Sequence, residues 1–137
     1  MLEGKVLVSG ASVKWEGQLT VYNYKDGPCY RCLYPICPKS DSMQSCSDNG
    51  VIGMAPGIIG QLEAMECVKI IVGADGVLKS RLVLMDGIAG NFKTVRIRGK
   101  MNNCVMCNKE NRKIEFVKDY DYEEFSGMTS KVFFYKS

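Results

Sequence analysis

Two Cys-x-x-Cys pairs are the residues best equipped for chemistry in this 137-residue chain: Cys29-Tyr30-Arg31-Cys32 and Cys104-Val105-Met106-Cys107. A two-residue spacer lets one tight turn present two sulfurs. Two such knuckles supply the four soft ligands of a tetrahedral zinc site. Four thiolates leave no open coordination position, so a metal held this way is structural rather than catalytic. The interval between the pairs is longer than in common zinc ribbons, which makes the spacing by itself less specific. Redox chemistry is the competing reading. Neither pair opens a helical pattern after a strand, as a thioredoxin-like dithiol would. Cys46 lies in Gln44-Ser45-Cys46-Ser47-Asp48, immediately before a long helical pattern. The positive end of a helix dipole favours a thiolate there, which makes Cys46 a candidate nucleophile. The alternative is a loop cysteine without a role, and Cys37 is equally loop-borne. Cys67, inside the helical pattern, reads as core. The chain has no histidine, which excludes a Ser–His or Cys–His catalytic pair and a zinc site of two cysteines and two histidines within it.

The elements that must position these thiols follow from pattern. Lys5-Val6-Leu7-Val8-Ser9, between Gly4 and Gly10, is a short apolar run that predicts a buried strand. Residues 17–24 alternate in the strand manner, with Leu19 and Val21 on one side. Lys25-Asp26-Gly27-Pro28 is a turn signal that delivers the first cysteine pair. Residues 35–47 are rich in proline and serine and read as a loop. From about Val51 to Val72 the pattern is helical, with Ile58, Leu62, Met65, Val68 and Val72 as the predicted inward stripe. Asp48 or Asn49 is the candidate N-cap and Gly73 the candidate stop. Val51, Ile52, Ile59 and Ile71 widen the apolar surface, which predicts burial on two sides, in a core or a subunit interface. Residues 81–86 and 91–98 predict a hairpin across the link Gly87 to Gly90, ending at the second cysteine pair. Residues 119–125 predict a short helix or a packed arm.

The length implies one domain, and 46% apolar with 24% charged residues is ordinary for a globular protein. The net charge of +3 is too small to imply nucleic acid or a membrane surface. Lys93, Arg96, Arg98 and Lys100 read as a solvated strand face, since only Phe92 is at hand as a stacking aromatic. No apolar run reaches the roughly 18 residues of a spanning helix, and residues 1–12 lack a signal-peptide pattern. The expectation is a cytoplasmic, reducing setting without a membrane or nucleic-acid partner. Neither Gly-x-Gly-x-x-Gly after a strand nor Gly-x4-Gly-Lys-Ser/Thr occurs. Pro56-Gly57-Ile58-Ile59-Gly60 lies inside the helical pattern and is explained by close helix packing.

Several stretches resemble the ThiF/MoeB superfamily of ubiquitin-activating-like enzymes: Leu7-Val8-Ser9-Gly10-Ala11, Glu16-Gly17-Gln18-Leu19-Thr20-Val21-Tyr22, Gly27 to Pro35, Cys46 to Gly53, Gly60 to Glu66 and the second cysteine pair. The tail Tyr120 to Gly127 resembles the linker of the family's eukaryotic adenylyltransferase–sulfurtransferase branch. The resemblance implies an α/β fold: a mixed sheet, a long packed helix and a four-cysteine zinc knuckle in a partial Rossmann-like domain. It implies structural zinc on Cys29, Cys32, Cys104 and Cys107, and Cys46 as the crossover-loop cysteine able to link covalently to an activated carrier. The implied activity is ATP-dependent adenylation of the C-terminal glycine of a ubiquitin-like sulfur carrier, for molybdenum-cofactor biosynthesis, tRNA thiolation or both. Residues 1–108 then correspond to the C-terminal half of an adenylation domain and 109–137 to a linker or tail. The half that binds ATP and Mg2+ lies outside the resemblance, so the isolated chain is expected to be inactive, with a homodimer mate or a complementary nucleotide-binding half as further partner. Two alternatives remain at this point: a non-catalytic zinc adaptor that docks a ubiquitin-like protein, and a zinc-knuckle nucleic-acid binder.

Overall fold

The computed structural model describes residues 2–36, 50–108 and 110. Its elements run β1 (Leu7–Val13), β2 (Glu16–Tyr22), α1 (Tyr30–Leu33), α2 (Met54–Ile71), β3 (Arg81–Asp86) and β4 (Asn91–Arg96). The four strands form one sheet in the order β1-β2-β3-β4, with every neighbouring pair antiparallel. Among the described residues, parallel pairing is confined to two isolated bridges, Lys14 with Val51 and Val21 with Lys79. One long helix on a sheet, with the four cysteines clustered, is the α/β architecture that the resemblance implies.

The β3–β4 hairpin forms where the pattern places it, from Arg81 opposite Arg96 to Asp86 opposite Asn91. Asp86 Oδ1 closes the turn by accepting the Ile88 and Ala89 N–H groups, and Gly90 supplies a φ of +66°. The first strand differs from expectation. It begins later, runs through Gly10 to Val13, and is exposed or half-buried along its length. Among the described residues it is an outer strand with β2 as its one sheet neighbour, and among them no second strand covers its apolar residues.

Helix α2 packs on β1 and β2 through Ile59. The two strands can receive it because both carry glycine where it lands. A Cβ on Gly10 would lie 2.5 Å from Ile59 Cγ2, and one on Gly17 would lie 2.5 Å from Ile59 Cγ1. Leu19, Val21, Val77 and Leu78 make the adjoining core. The helix ends in a Schellman pattern: Ala74 N–H reaches Lys69 O at 2.9 Å, Gly73 N–H reaches Ile70 O at 3.4 Å, and Gly73 has a φ of +69°. Gly73 is thus the stop that the sequence marks. The start is Met54 after Gly53, with no side-chain cap. Asp48 and Asn49 lie outside the described residues.

The inward face of α2 is a correction. Ala55, Ile59 and Glu66 are buried, with Leu62 and Ile70 half-buried beside them, whereas Ile58, Met65, Val68 and Val72 are exposed. Only Leu62 belongs to the stripe that periodicity selects. Apolar residues occupy both sides of this helix, so periodicity could not rank the sides. The polar groups decide. Glu63 Oε1 accepts the Gly10 N–H at 2.7 Å. Glu66 Oε2 accepts the Leu78 N–H at 2.9 Å, and Glu66 also pairs with Lys69. A carboxylate that finds backbone N–H donors can be buried with its helix face. Cys67, read as core, is exposed. It sits on the flank that this rotation turns outward.

Gly17→Ala should destabilise the fold by about 1–3 kcal/mol through overpacking against Ile59. Urea unfolding measures it, and adding Ile59→Ala should cost less than the sum of the two single changes.

Candidate metal centre

The first knuckle is built by a turn and one helical turn. Asn23 and Lys25 take left-handed φ values of 58° and 52°, and Asn23 N–H bonds Pro28 O at 2.9 Å. That turn places Cys29 at the cap of α1, and Cys32 N–H returns to Cys29 O at 3.0 Å. Three residues of helix bring both sulfurs to one side. The second knuckle follows β4: Cys104 N–H bonds Met101 O at 3.2 Å and Asn108 N–H bonds Cys104 O at 3.3 Å. Tyr22 anchors the module to the sheet, its ring edge-on to Tyr30 at 5.6 Å, with Tyr34 at 4.9 Å from Tyr30. Burial first, and the neighbouring Tyr34 next, push the Tyr22 hydroxyl above its ordinary range, so it stays neutral.

The structure brings Cys29, Cys32, Cys104 and Cys107 together, with all four sulfurs within 4.8 Å of one another. Cys29 Sγ lies 3.7 Å from Cys32 Sγ and 3.6 Å from Cys104 Sγ, and Cys32 Sγ lies 3.4 Å from Cys107 Sγ. A tetrahedron with metal–sulfur bonds of about 2.3 Å has edges of about 3.8 Å. These four thiols therefore fit one metal ion with little movement. Cys29, Cys32 and Cys104 are buried and Cys107 is half-buried. Backbone N–H groups already point at the sulfurs: Met101 N–H donates to Cys32 Sγ at 3.4 Å. Burial pushes the Cys29 thiol up to about 11. Burial also pushes Cys104 up, but the N–H groups of Cys107 and Met106 outweigh it and hold that thiol at about 7. Cys107 is raised, by burial and then by its contact with Cys32. A metal ion would supply the positive charge that lets all four be thiolates at once.

Cys46 and its rival Cys37 lie outside the described residues, as do residues 111–137. A second feature escaped sequence reasoning. On the sheet face away from α2 lies a groove of about 620 Å³, lined by Val13, Gln18 and Leu84 together with Glu16, Asp86 and Lys93. Strand alternation marks these residues as one face, but nothing in the sequence says that this face stays open.

Cobalt(II), a spectroscopic probe of thiolate sites, should bind with one equivalent per chain and show sulfur-to-metal charge transfer. Cys104→Ser should abolish the band. Because thiols must lose protons to bind, uptake should release protons and weaken as pH falls. Isothermal titration in two buffers of different ionisation enthalpy measures this.

The ThiF family model matches residues 1–106. Proteins named "Adenylyltransferase and sulfurtransferase MOCS3" are similar in sequence. The one from Drosophila yakuba is 48% identical over 90% of this chain, that from Dictyostelium discoideum 46% over 91%, and that from Xenopus laevis 45% over 95%. The chain spans only 27%, 29% and 28% of those relatives' lengths. Among solved structures, E. coli MccB with MccA-N7isoASN matches 78% of this chain and 34% of its own, with a TM-score of 0.60 and 11% identity, which speaks to the fold. A family match that begins at the first residue and runs through every strand, the long helix and into the second cysteine pair places this chain in the ThiF family.

Proposed function

We propose that this chain is the C-terminal, carrier-binding half of an adenylyltransferase/sulfurtransferase that activates the C-terminal glycine of a ubiquitin-like sulfur carrier with ATP. The carrier would serve molybdenum-cofactor biosynthesis, tRNA thiolation or both, in the cytoplasm. The observation that carries the reading is kinship of 45–48% over at least nine-tenths of the chain to proteins named for those two activities. In this reading residues 1–108 form the folded half and 109–137 a linker or tail.

The metal is structural zinc, held by Cys29, Cys32, Cys104 and Cys107. The donor set supports zinc, since four thiolates in a tetrahedron suit it and leave no position for substrate. Bound there, zinc supplies no reaction step. It joins the end of β2 to the exit of β4. Between the knuckles the chain passes through Cys46, which would attack the carrier's acyl-adenylate carbonyl as thiolate, form a thioester and release AMP. The open sheet groove, lined by apolar Val13 and Leu84 and by both signs of charge at Glu16, Asp86 and Lys93, is a fitting seat for part of the carrier. ATP and Mg2+ would be held by residues other than these, because neither phosphate-cradling glycine pattern occurs in the 137 residues. The alternative of a zinc adaptor without covalent chemistry differs only at Cys46.

A ubiquitin-like sulfur carrier added to this chain should bind without ATP, and Leu84→Arg should weaken binding about tenfold or more, as measured by calorimetry. Carrier binding that ignores the groove variant would remove the groove from the reading. When a nucleotide-binding half is supplied, Cys46→Ala should abolish the covalent carrier adduct on non-reducing gels while leaving affinity unchanged; an undiminished adduct would favour the adaptor.

A further inference from the structure

The antiparallel register sorts the groove residues into rows across the sheet. In one row Val13 stands opposite Glu16, and Glu16 opposite Asp86. In the next row on the same face, two residues along each strand, Leu84 stands opposite Lys93. All five line the groove. Val13 and Leu84 are 38% and 37% exposed, so the apolar part of the lining is open to an incoming side chain.

Glu16 and Asp86 form a pair that the fold does not explain. Residues directly opposite on neighbouring antiparallel strands hold their Cβ atoms about 5 Å apart, and like charges placed there destabilise a sheet. A basic neighbour would remove that cost. The ion pairs among the described residues are Lys69 with Glu66 and Lys79 with Asp26, so neither groove carboxylate has one there. Asp86 has a local duty through Oδ1, which accepts the Ile88 and Ala89 N–H groups. That duty needs an acceptor and not a charge, and asparagine would meet it. The Glu16 carboxylate has no hydrogen bond or ion pair among the described residues. Lys93 lies diagonal to Asp86 and is unpaired in the same sense.

We infer that the Glu16–Asp86 pair is the receptor for a basic side chain of the protein docked in this groove, and that it selects among ubiquitin-like carriers by that charge. The inference rests on the carrier-binding role proposed above and adds which charge the carrier must present. A lysine or arginine over the pair meets two carboxylates at once and cancels their repulsion. The cost carried by the free chain is thereby returned on binding. An arginine can bond both carboxylates through its planar fork. The same carrier sets an apolar side chain against Val13 and Leu84 and turns its own acidic groups toward Lys93. Opposite charges in adjoining rows fix the direction in which a partner lies. A carrier with an acidic residue over the pair is rejected by repulsion.

Calorimetric titration with the ubiquitin-like sulfur carrier of the same organism tests it, with urea unfolding of the free chain as a second measurement. Glu16→Gln keeps the side-chain shape and removes one charge. The variant should resist urea better than the wild type, its unfolding constant lowered by up to about fivefold. It should nevertheless bind the carrier about tenfold more weakly. A purely structural residue would not move the two readings in opposite directions. Asp86→Asn, which keeps the turn acceptor, should behave alike. A set of carrier variants, each with one lysine or arginine changed to glutamine, should hold one that weakens wild-type binding about tenfold yet loses little more against the Glu16→Gln chain. Carrier affinity unchanged in Glu16→Gln and Asp86→Asn overturns the inference and leaves the carrier reading standing, and so does a set without a coupled member. A Glu16→Gln chain less stable than the wild type also overturns it, because the pair would then serve the fold itself. A wild-type chain that binds no carrier overturns the carrier reading and this inference with it.

Discussion

Ile59 sits over two strands at a distance that only glycine permits, with both of its γ carbons occupying the space where a Cβ of Gly10 or Gly17 would stand. That contact sets how close α2 lies to the sheet. At this separation Glu63 reaches the Gly10 N–H on the outer strand, and Glu66 reaches the Leu78 N–H in the segment leading to β3. The rotation of the helix about its axis is fixed by the same three points. Residues that periodicity would send inward are turned out, and an apolar, uncharged half-cylinder faces solvent. A single close approach thereby produces both the core and an exposed surface that the core does not need.

The cysteine cluster rests on a different constraint. The two knuckles are far apart in sequence and meet because β2 and β3 are neighbours in the sheet. The turn after Tyr22 delivers the first pair, and the hairpin partner β4 delivers the second. Each knuckle is a local construction, with its own backbone hydrogen bonds and N–H groups aimed at sulfur. Their convergence is a property of strand order. Sulfurs 3.4 to 3.7 Å apart in a buried pocket would repel strongly as thiolates without a cation between them. A metal ion would thus stabilise an arrangement whose backbone is already in place.

Much of this was legible in residue order. The cysteine spacing identified the four thiols that cluster. The alternation in β2 placed Leu19 and Val21 on the buried side, and the glycine-linked hairpin of β3 and β4 formed with the expected boundaries to within two residues. Gly73 ended the helix because only a residue at ease with positive φ completes a Schellman turn. Family kinship was readable from motifs distributed along the chain. What failed did so where two answers fit one pattern. A helix with apolar residues on opposite sides has no preferred face by periodicity, and a short run such as residues 5–9 reads equally as a central or an outer strand.

Sequence alone determined which residues could ligate a metal and where β2, the long helix and the β3–β4 hairpin fall, since these depend on spacing and on backbone preferences within a few residues. Tertiary structure alone decided that, among the described residues, β1 is an outer strand and the sheet face opposite α2 forms a groove, and it alone decided which side of α2 is buried. Those outcomes depend on strand order and on the partners available to Glu63 and Glu66. Gly10 and Leu78, which supply those partners, stand 53 and 12 residues away. A preference that local pattern leaves balanced is settled by hydrogen bonds between distant segments, because a buried carboxylate without them would cost more than an exposed row of methionine, isoleucine and valine.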